Sequence, residues 1–546
     1  MSECFEKIKS VCPVCLKTID ACKTVGTDGL IYMEKTCPEH GAFQTLLWES
    51  DLDSYRAWNR VPAGKVTPVG ASPVKNGCPH DCGLCEDHER DGCCVLLELT
   101  NRCNLACPVC FASAGEQTPH DLSLEEISAQ YDMLMRRGGP FNIQLSGGEP
   151  TMRDDLPEII ALGKEKGFSF FQLNTNGLRI AQEEGYAELL SRSGVSCVFL
   201  QFDGLEDEIY RVLRGRPLKD LKLKAIERCK KAGLPVVLVP TVAPGVNDHT
   251  LGDILKFAIS RIPYIRGVHI QPISYFGRCG LTAPKIRLTI PRVLSLLEEQ
   301  TGGLCKASDF GGGGAESPYC SFHASYLRKD DGSLKALPRR QSQCSCMQSS
   351  DARQFVARQW SQKPQDVDCG CTDTVAEDCC GDSLEMADLC CCEDSANDCC
   401  ANSCCCEDTT DALCTDSCCC NDSTDDCCAD SCCCEDTADD CCADSCCCVD
   451  SADDCCADSC CCDDSNDNCC TSSVSDCCDT SSLDAFLRKA EENTFTVSGM
   501  LFQDAWNLDL DRLRRCYICE VDSKHGMVPF CAYNLTDING KALYRK

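Results

Sequence analysis

Between residues 95 and 272 the chain alternates short apolar runs with amphipathic helical patterns, and this alternation constrains the fold more than any other feature. The first helical pattern opens with a capping box at Ser123 and Glu126 and ends near Gly138. Repeated units of this kind predict a parallel sheet, because parallel neighbours need a crossover helix between them. We therefore expect an α/β fold, a partial (β/α)6 barrel with its site at the carboxyl ends of the strands. The six runs predicted as strands are 95–99, 142–145, 168–173, 195–202, 234–239 and 268–270.

A tandem repeat with a 14-residue period occupies residues 369–478. It contains 35 of the 58 cysteines, and residues 369–483 include 31 acidic residues and no lysine or arginine. Because large apolar side chains are almost absent, burial cannot offset the entropy of ordering, so we expect this segment to be disordered without a metal. Its thiolates predict binding of soft metal ions, and the alternative is an expanded repeat with no role.

Outside the repeat the charge is nearly balanced, although the whole chain has 85 acidic and 52 basic residues. This balance gives no support for nucleic-acid binding. No run approaches the ~18 apolar residues of a membrane helix, and the polar start lacks a signal-peptide pattern. We expect no transmembrane segment and a cytoplasmic protein. In a reducing compartment, closely spaced cysteines are metal or cluster ligands more often than disulfides.

These patterns divide the chain into five segments. Ordinary composition returns after the repeat, which indicates an insertion into a domain rather than a tail. We predict a zinc-ribbon or rubredoxin-like metal domain at 1–60, an auxiliary cluster segment at 61–94, the barrel and its extension at 95–345, the low-complexity repeat at 346–483 and a C-terminal cysteine-containing domain at 484–546.

Two tight turns near the start hold four soft ligands. They are the CPVC turn with Cys12 and Cys15, and the CPEH turn with Cys37 and His40. Each turn directs its pair of side chains to one side, so the four can surround one ion tetrahedrally. We predict a zinc ion or a single iron here, with Cys22 unused; unliganded thiols in a small loop domain are the alternative.

The most specific motif follows the first predicted strand. Cys103, Cys107 and Cys110 have CxxxCxxC spacing, which can hold three irons of a [4Fe-4S] cube and leave the fourth iron open. The sequence SGGEP follows the second predicted strand. Its glycines allow a close backbone approach to a ligand, and its carboxylate can meet an ammonium group.

With these two motifs in consecutive βα units, residues 78 to 280 resemble the radical S-adenosylmethionine superfamily. The resemblance implies that the open iron binds S-adenosylmethionine, which is cleaved reductively to methionine and a 5'-deoxyadenosyl radical that abstracts a substrate hydrogen. It also implies an adenine contact before the third cysteine, where this chain has Val109 rather than an aromatic residue. By position, the residues implied to contact the cofactor or substrate are Gly147, Gly148, Glu149, Asn174, Asn176, Gln201, Asp203 and Gln271.

Within that superfamily the chain resembles the branch of the archaeal tetraether synthase and the dihydropterin methylase-like proteins. The resemblance rests on CPVC and CPEHG, GCPHDCGLC, NRCNLACPVCFA, QPISYFGR, and the C-terminal VSGMLFQDAWNLDLDRLRRC and PFCAYN. It covers most of the chain except the repeat. Members of the branch act on unlike molecules, so the resemblance implies C–C bond formation or methylation without fixing the substrate.

Two further cysteine groups are candidates for auxiliary clusters. The first is a second CxxxCxxC with a nearby fourth thiol, made of Cys78, Cys82, Cys85 and Cys93. The second is Cys516, Cys519 and Cys531, to which Cys320 could be added. Structural zinc sites are the alternative in both places. Cys197 and Cys229 fall inside a predicted strand and helix, so we predict buried apolar thiols there.

The sequence therefore favours a radical enzyme with auxiliary clusters. Its cofactors are predicted to be [4Fe-4S] clusters and S-adenosylmethionine, with zinc or mononuclear iron in the N-terminal turns. Its predicted partners are a small-molecule, lipid or peptide substrate and an electron donor such as flavodoxin or ferredoxin. The alternatives are a thiol-rich metal-binding protein with an inactive barrel, and a peptide-modifying maturase.

Overall fold

A computed structural model describes residues 3–59, 65–115, 121–279, 286–313, 317–329, 331–338, 349–361 and 490–545. The cysteine and aspartate repeat lies outside the described residues, so its predicted disorder stays a prediction. The described segments all belong to one compact unit.

The N-terminal segment forms a four-stranded antiparallel sheet in sequence order. Ile8, Ala21 and Met33 form its small core. A short helix follows, and its N-cap Asp51 accepts a 2.7 Å hydrogen bond from the amide of Ser54. These elements are β1 (Glu3–Val11), β2 (Thr18–Val25), β3 (Ile31–Cys37), β4 (Gly41–Trp48) and α1 (Leu52–Trp58).

The other strands belong to one large sheet, except for a two-stranded pair made by β6 and β13. Their bounds are β5 (Cys94–Glu98), β6 (Val109–Cys110), β7 (Asn142–Ser146), β8 (Phe171–Thr175), β9 (Cys197–Gln201), β10 (Val236–Val239), β11 (Thr241–Val242), β12 (Ile265–Pro272), β13 (Arg278–Cys279), β14 (Ser321–Arg328), β15 (Leu334–Ala336), β16 (Thr494–Met500), β17 (Ile518–Asp522) and β18 (Gly526–Pro529).

The predicted capping box is present at the start of the second helix. Ser123 Oγ accepts from the amide of Glu126 at 3.2 Å, and the Glu126 carboxylate accepts from the amide of Ser123 at 2.8 Å. The helices are α2 (Leu124–Arg136), α3 (Leu156–Glu165), α4 (Leu178–Gln182), α5 (Tyr186–Ser193), α6 (Asp207–Arg214), α7 (Lys219–Lys231), α8 (Leu251–Ile259), α9 (Ile290–Thr301), α10 (Ser349–Trp360), α11 (Leu510–Arg514) and α12 (Phe530–Tyr533).

The large sheet has the strand order β15-β14-β16-β12-β10-β9-β8-β7-β5-β17-β18, with β11 paired to β12. The six predicted strands correspond to β5, β7, β8, β9, β10 and β12, which are consecutive parallel neighbours. β16 and β17 extend this parallel set on its two sides, whereas β14, β15 and β18 pair antiparallel. The predicted α/β class is confirmed, and the sheet is mixed rather than purely parallel.

The core lies between the parallel strands and the crossover helices. In β5, Val95 and Leu97 are fully buried, as are Ile127, Tyr131 and Leu134 of α2 in the same apolar cluster. Alternate residues of a strand point to opposite faces, so Leu96 and Glu98 of β5 face the other side of the sheet from Val95 and Leu97. At the shared carboxyl edge of these parallel strands, β5, β7, β8 and β9 end in the polar residues Glu98, Ser146, Thr175 and Gln201.

The two described chain ends that flank the repeat both reach the start of β12. Trp360 packs against Phe199 with ring centroids 5.5 Å apart, and a Cβ added to Gly267 would lie 2.8 Å from the Trp360 ring. On the returning side, Arg266 Nη1 donates a 2.9 Å hydrogen bond to the carbonyl oxygen of Glu491. The attachment points of the intervening segment therefore converge at the amino end of β12, opposite the carboxyl edge.

Cys22, predicted to be unused as a metal ligand, forms a disulfide with Cys4 across β1 and β2, with their Cα atoms 5.8 Å apart. Neighbouring strands place these thiols side by side, which spacing along the chain does not reveal.

Among the helices of the described ranges, none has the length and apolar character needed to cross a bilayer.

Candidate cluster site and N-terminal metal site

The three cysteines of the first CxxxCxxC motif lie in the loop that follows β5. Cys107 is buried, and Cys103 and Cys110 are half-buried. Burial raises the pKa of Cys103 to about 12, and the nearby Glu149 and the other two thiols act in the same direction. Thiols that disfavour each other's ionisation fit a site in which bound iron supplies positive charge.

A second loop is joined to the cysteine loop by backbone hydrogen bonds. The amide of Gly148 donates to the carbonyl oxygen of Thr100 at 2.7 Å, and the amide of Glu149 donates to that of Arg102 at 2.8 Å. A Cβ added to Gly147 would lie 2.3 Å from the Thr100 oxygen, and one on Gly148 would lie 2.3 Å from the Arg102 oxygen. Both glycines are therefore required for the approach of the two loops.

The carboxylate of Glu149 is held by four donors and is almost fully buried. Its Oε1 accepts from the amide and hydroxyl of Thr151 at 3.1 and 2.6 Å and from the hydroxyl of Thr175 at 2.7 Å. Among the described residues its Oε2 accepts one hydrogen bond, from the amide of Asn176 at 2.7 Å. The carboxylate is fixed in place, and Oε2 retains the capacity to accept from a ligand.

Polar side chains from β8 continue this network. Asn176 Nδ2 donates to the side-chain oxygen of Asn104 in the cysteine loop at 2.7 Å. Asn174 accepts from Gln172 at 2.6 Å and donates to Gln144 at 3.3 Å. Asn176 thus lies at the cysteine loop, whereas Asn174 bonds to other side chains of the sheet.

Asp203 has an ion-pair partner that the sequence did not suggest. Its carboxylate pairs with Arg214 in two contacts of 2.6 and 2.7 Å, and both side chains are buried. Arg214 also donates to the carbonyl oxygen of Val109 at 3.2 Å and to Thr241 Oγ1 at 2.9 Å. Asp203 therefore reaches the cysteine loop through Arg214.

Lys222 of α7 is the other functional candidate that sequence reasoning missed. Its ammonium group donates to the carbonyl oxygen of Asn176 at 2.5 Å and to Gln201 Oε1 at 3.2 Å. Complete burial lowers the pKa of Lys222 to about 8. A signal existed, since position 222 has helical spacing with the buried Ala225 and Cys229. Gln271, predicted at the same edge, is placed by a backbone hydrogen bond to Pro240 at 2.9 Å.

The N-terminal turns bring their four predicted ligands together. The ligand atoms of Cys12, Cys15, Cys37 and His40 all lie within 4.8 Å of one another. His40 Nδ1 is 3.6 Å from the sulfur of Cys12 and 3.4 Å from that of Cys37. Three thiols and one imidazole in this arrangement suit a tetrahedral zinc ion. Among the described residues this is the only such set around one point.

The first auxiliary group is divided in the structure. Cys78 and Cys82 interact directly: contact with Cys78 and burial raise the pKa of Cys82, whereas contact with Cys82 lowers the pKa of Cys78. Burial raises the pKa of Cys85. The hydroxyl of Tyr544 accepts from the Cys82 amide at 2.9 Å and donates to the carbonyl oxygen of Pro79, which fixes this loop. Cys93 packs instead with Cys94, Ala352 and Tyr517. Its place in a cluster stays a prediction.

In the C-terminal group, burial raises the pKa of Cys531 well above its usual value, and the Cys516 and Cys320 thiols act in the same direction. Arg512 Nη2 donates to the sulfur of Cys320 at 3.3 Å. Cys519 is fully buried in β17. Each thiolate of a [4Fe-4S] cube binds a different iron, so its sulfurs need not converge as the four N-terminal ligands do. Cluster binding here also stays a prediction.

Predictions of buried roles are confirmed where the structure describes them. Cys197 and Cys229 are fully buried, and burial raises the pKa of Cys229 to about 12. Neither thiol belongs to a group of converging ligands among the described residues.

Comparison with known proteins gives two family matches. A model of the radical SAM superfamily matches residues 97–258, and a model of the HMPTM N-terminal zinc ribbon domain matches residues 4–49. The chain is 42% identical over 310 residues to a 7,8-dihydro-6-hydroxymethylpterin dimethyltransferase of Methanocaldococcus jannaschii, which is 56% of this chain and 60% of that protein. It is 38% identical over 163 residues to an Fe-coproporphyrin III synthase of Methanosarcina barkeri, which is 29% of this chain and 38% of that protein.

A solved structure is also similar to part of the chain. The crystal structure of Streptococcus suis SuiB bound to precursor peptide SuiA matches with a TM-score of 0.33 and 17% identity, covering 39% of this chain and 45% of that chain. The chain spans 60% or less of the length of the curated relatives given above. The family matches confirm the predicted resemblance to the radical SAM superfamily and its dihydropterin methylase-like branch, and with it [4Fe-4S] and S-adenosylmethionine as cofactors. The ribbon match and the convergent ligands support a metal ion near the N-terminus.

Proposed function

We propose that this chain, an enzyme with the radical SAM domain, cleaves S-adenosylmethionine reductively at a [4Fe-4S] cluster held by Cys103, Cys107 and Cys110. The 5'-deoxyadenosyl radical then abstracts a hydrogen atom from the substrate. The observation that carries the proposal is the pair of backbone hydrogen bonds, Gly148 to Thr100 and Glu149 to Arg102, that seats the GGEP loop on the cysteine loop. When bound, the cluster supplies the electron for cleavage.

The surrounding residues bind and orient the cofactor. Glu149 Oε2 accepts a hydrogen bond from the ammonium group of S-adenosylmethionine. The donors from Thr151, Thr175 and Asn176 keep that carboxylate in position. Asp203 positions Arg214, which donates a hydrogen bond to the carbonyl oxygen of Val109 and so holds the backbone there. Preorganised polar groups of this kind need no rearrangement during the reaction.

The parallel strand order supports a common edge for these residues. We propose that the six predicted strands curve into a partial (β/α)6 barrel, which β16 and β17 extend on either side. The carboxyl ends of β5, β7, β8, β9 and β12 then surround one mouth, where the cysteine loop, Glu149, Asn176, Gln201 and Gln271 lie.

For the substrate class we propose a small molecule of the dihydropterin type, and for the reaction a methylation at carbon. The support is the 42% identity over 310 residues to a dimethyltransferase of a dihydropterin, together with the zinc ribbon match at residues 4–49. The electron donor is proposed to be a flavodoxin or ferredoxin, and the Cys78 and Cys531 groups are proposed to hold auxiliary clusters.

The test uses the full chain reconstituted anaerobically with iron and sulfide. The wild type is expected to form 5'-deoxyadenosine, and Cys107→Ala to form none, because loss of one thiolate prevents a stable site-differentiated cube. Cys229→Ala is the matched control, since this thiol is also buried but lies in α7 away from the motif. Turnover with methyl-deuterated S-adenosylmethionine and 6-hydroxymethyl-7,8-dihydropterin should give a product with labelled methyl groups. Equal 5'-deoxyadenosine from Cys107→Ala refutes the cluster assignment, and a methylated product without the label refutes S-adenosylmethionine as the methyl donor.

A further inference from the structure

A small cavity lies where the N-terminal sheet packs against the loops that follow β12 and β16. Its wall includes Lys23 on the N-terminal side and Arg287, Thr289, Asp509 and Arg512 on the other side. The space open to water-sized spheres is about 30 Å³, and one water needs about 10–15 Å³ of such space. A few polar atoms can therefore occupy the cavity as it stands.

Three residues of this wall each have a buried polar atom with no hydrogen-bond partner among the residues that the structure describes. These atoms are the Nε atoms of Arg287 and Arg512 and the hydroxyl of Thr289. Thr289 is 2% exposed, and the side chain of Arg287 is 8% exposed. Buried polar groups are nearly always bonded, so three unpartnered atoms on one wall point to a ligand that completes them.

The charged groups of Arg287 Nη2, Asp509 and Lys23 on this wall are paired. Arg287 Nη2 donates to both carboxylate oxygens of Asp504 at 2.9 and 2.7 Å. Asp509 accepts from the amides of Asp511 and Arg512 and pairs with Lys23 at 2.9 Å. The unpartnered groups are thus two cationic donors and a hydroxyl, and the missing ligand must supply acceptor oxygens.

The start of α9 adds to this preference. Thr289 is the N-cap residue of this 12-residue helix, yet its side chain makes no capping hydrogen bond and Ile290 also lines the cavity. The amino end of a helix favours negative charge. The free hydroxyl and the helix end therefore act in the same direction as the two guanidinium groups.

We propose that this cavity is an oxyanion subsite, in which carboxylate or phosphate oxygens accept hydrogen bonds from Arg287, Thr289 and Arg512. The subsite goes beyond the proposed function and does not depend on it. The cavity is connected to the cysteine loop by packed aromatic rings. Phe502 on its wall packs on Phe530 with ring centroids 4.2 Å apart, and Phe530 packs on Phe111 with ring centroids 5.6 Å apart. Phe111 directly follows Cys110.

The test measures anion binding to the full-length reconstituted protein without turnover. Formate or inorganic phosphate is titrated into the protein in place of chloride, so that the ionic strength stays constant. In a separate experiment, crystals are soaked in selenate to locate an anomalous peak. We expect saturable binding and a peak between Arg287, Thr289 and Arg512. Thr289→Val should weaken binding at least about tenfold, the value of one such hydrogen bond. This variant removes no capping bond, so the helix is retained.

Thr24→Val is the matched control. Its hydroxyl is also buried and unpartnered, but Thr24 does not line the cavity. Absence of anion binding in the wild type, a selenate peak elsewhere, or equal weakening in both variants overturns the subsite. The source of the anion is read from its preference: saturation by formate alone assigns the subsite to a carboxylate, and saturation by phosphate alone assigns it to a phosphate.

Discussion

The backbone amide of Gly148 donates a 2.7 Å hydrogen bond to the carbonyl oxygen of Thr100, so the loops after β7 and β5 form one unit. The first prediction follows from the space between them. In Gly148→Ala the new Cβ would lie 2.3 Å from the Arg102 oxygen, about 1 Å inside ordinary contact distance. A displacement of about 1 Å at a reacting site can cost roughly 100-fold, so we expect 5'-deoxyadenosine formation to fall about that far.

The matched control for this variant is Gly233→Ala. Gly233 has a positive φ of 66° with no atom within 4 Å of an added Cβ, so the substitution strains only the backbone. It should cost some stability and leave cleavage unchanged. Full activity in Gly148→Ala would contradict the role of the joined loops.

The second prediction separates a ligand-contacting role of Asp203 from its ion pair. Asp203→Asn leaves the buried guanidinium of Arg214 without a charge partner, which costs roughly 3–5 kcal/mol in such pairs. We expect a loss of that order in the free energy of unfolding, measured by urea denaturation. Asp20→Asn, at an exposed pair with Lys9, should change it little. If Asp203→Asn weakens S-adenosylmethionine binding with stability unchanged, Asp203 contacts the cofactor directly.

The third prediction concerns the pH dependence of stability. Burial lowers the pKa of Lys222 from 10.5 to about 8. Between these two values the unfolded chain holds the proton that the folded chain has released, so stability contributed by this group rises as the pH rises from about 8 to 10.5. The total rise is about 3 kcal/mol. Lys222→Met should remove this rise in unfolding curves, whereas Lys224→Met, exposed on the same helix, should keep it. Parallel curves for all three proteins would show that Lys222 is not the group.

The parts of the fold that could be predicted depend on neighbouring residues along the chain. The six strands and the N-terminal ligand set follow from short apolar runs and from two tight turns, which are local signals. β16 pairs with β12, more than 220 residues away, and no local pattern encodes that partner. The pairing of Asp203 with Arg214 was missed for a different reason, since these residues are close in sequence. A charged residue on an amphipathic helix usually faces solvent, and only the packing of α6 against the cysteine loop buries this one.

The fourth prediction concerns the N-terminal metal ion. Cys12→Ser should release one zinc or iron per chain, measured by elemental analysis, because one thiolate of the convergent set is lost. Metal binding stabilises such small domains, so this sheet should also become sensitive to proteolysis. The sheet bonds to the C-terminal segment through Ser10 to Leu508 at 2.6 Å and Lys35 to Ala505 at 2.8 Å, so the effect should extend to that segment. Cys229→Ala should change neither readout, and unchanged metal content in Cys12→Ser would remove the site.

The fifth prediction is that deletion of residues 369–478 leaves S-adenosylmethionine cleavage intact and removes most of the zinc or copper capacity. Clustered thiolates favour soft metal ions, and a segment of that composition binds them without a packed core. On one side of the repeat Trp360 lies beside Gly267, and on the other side Glu491 accepts a hydrogen bond from Arg266. Both contacts are at the amino end of β12. A short linker can therefore rejoin them, because long insertions between close ends add little loop-closure entropy. Cleavage is measured as 5'-deoxyadenosine, and metal capacity by titration of the deleted and full-length proteins. If the deleted protein keeps its cluster but loses turnover, the repeat must act as a substrate or redox partner of the radical site.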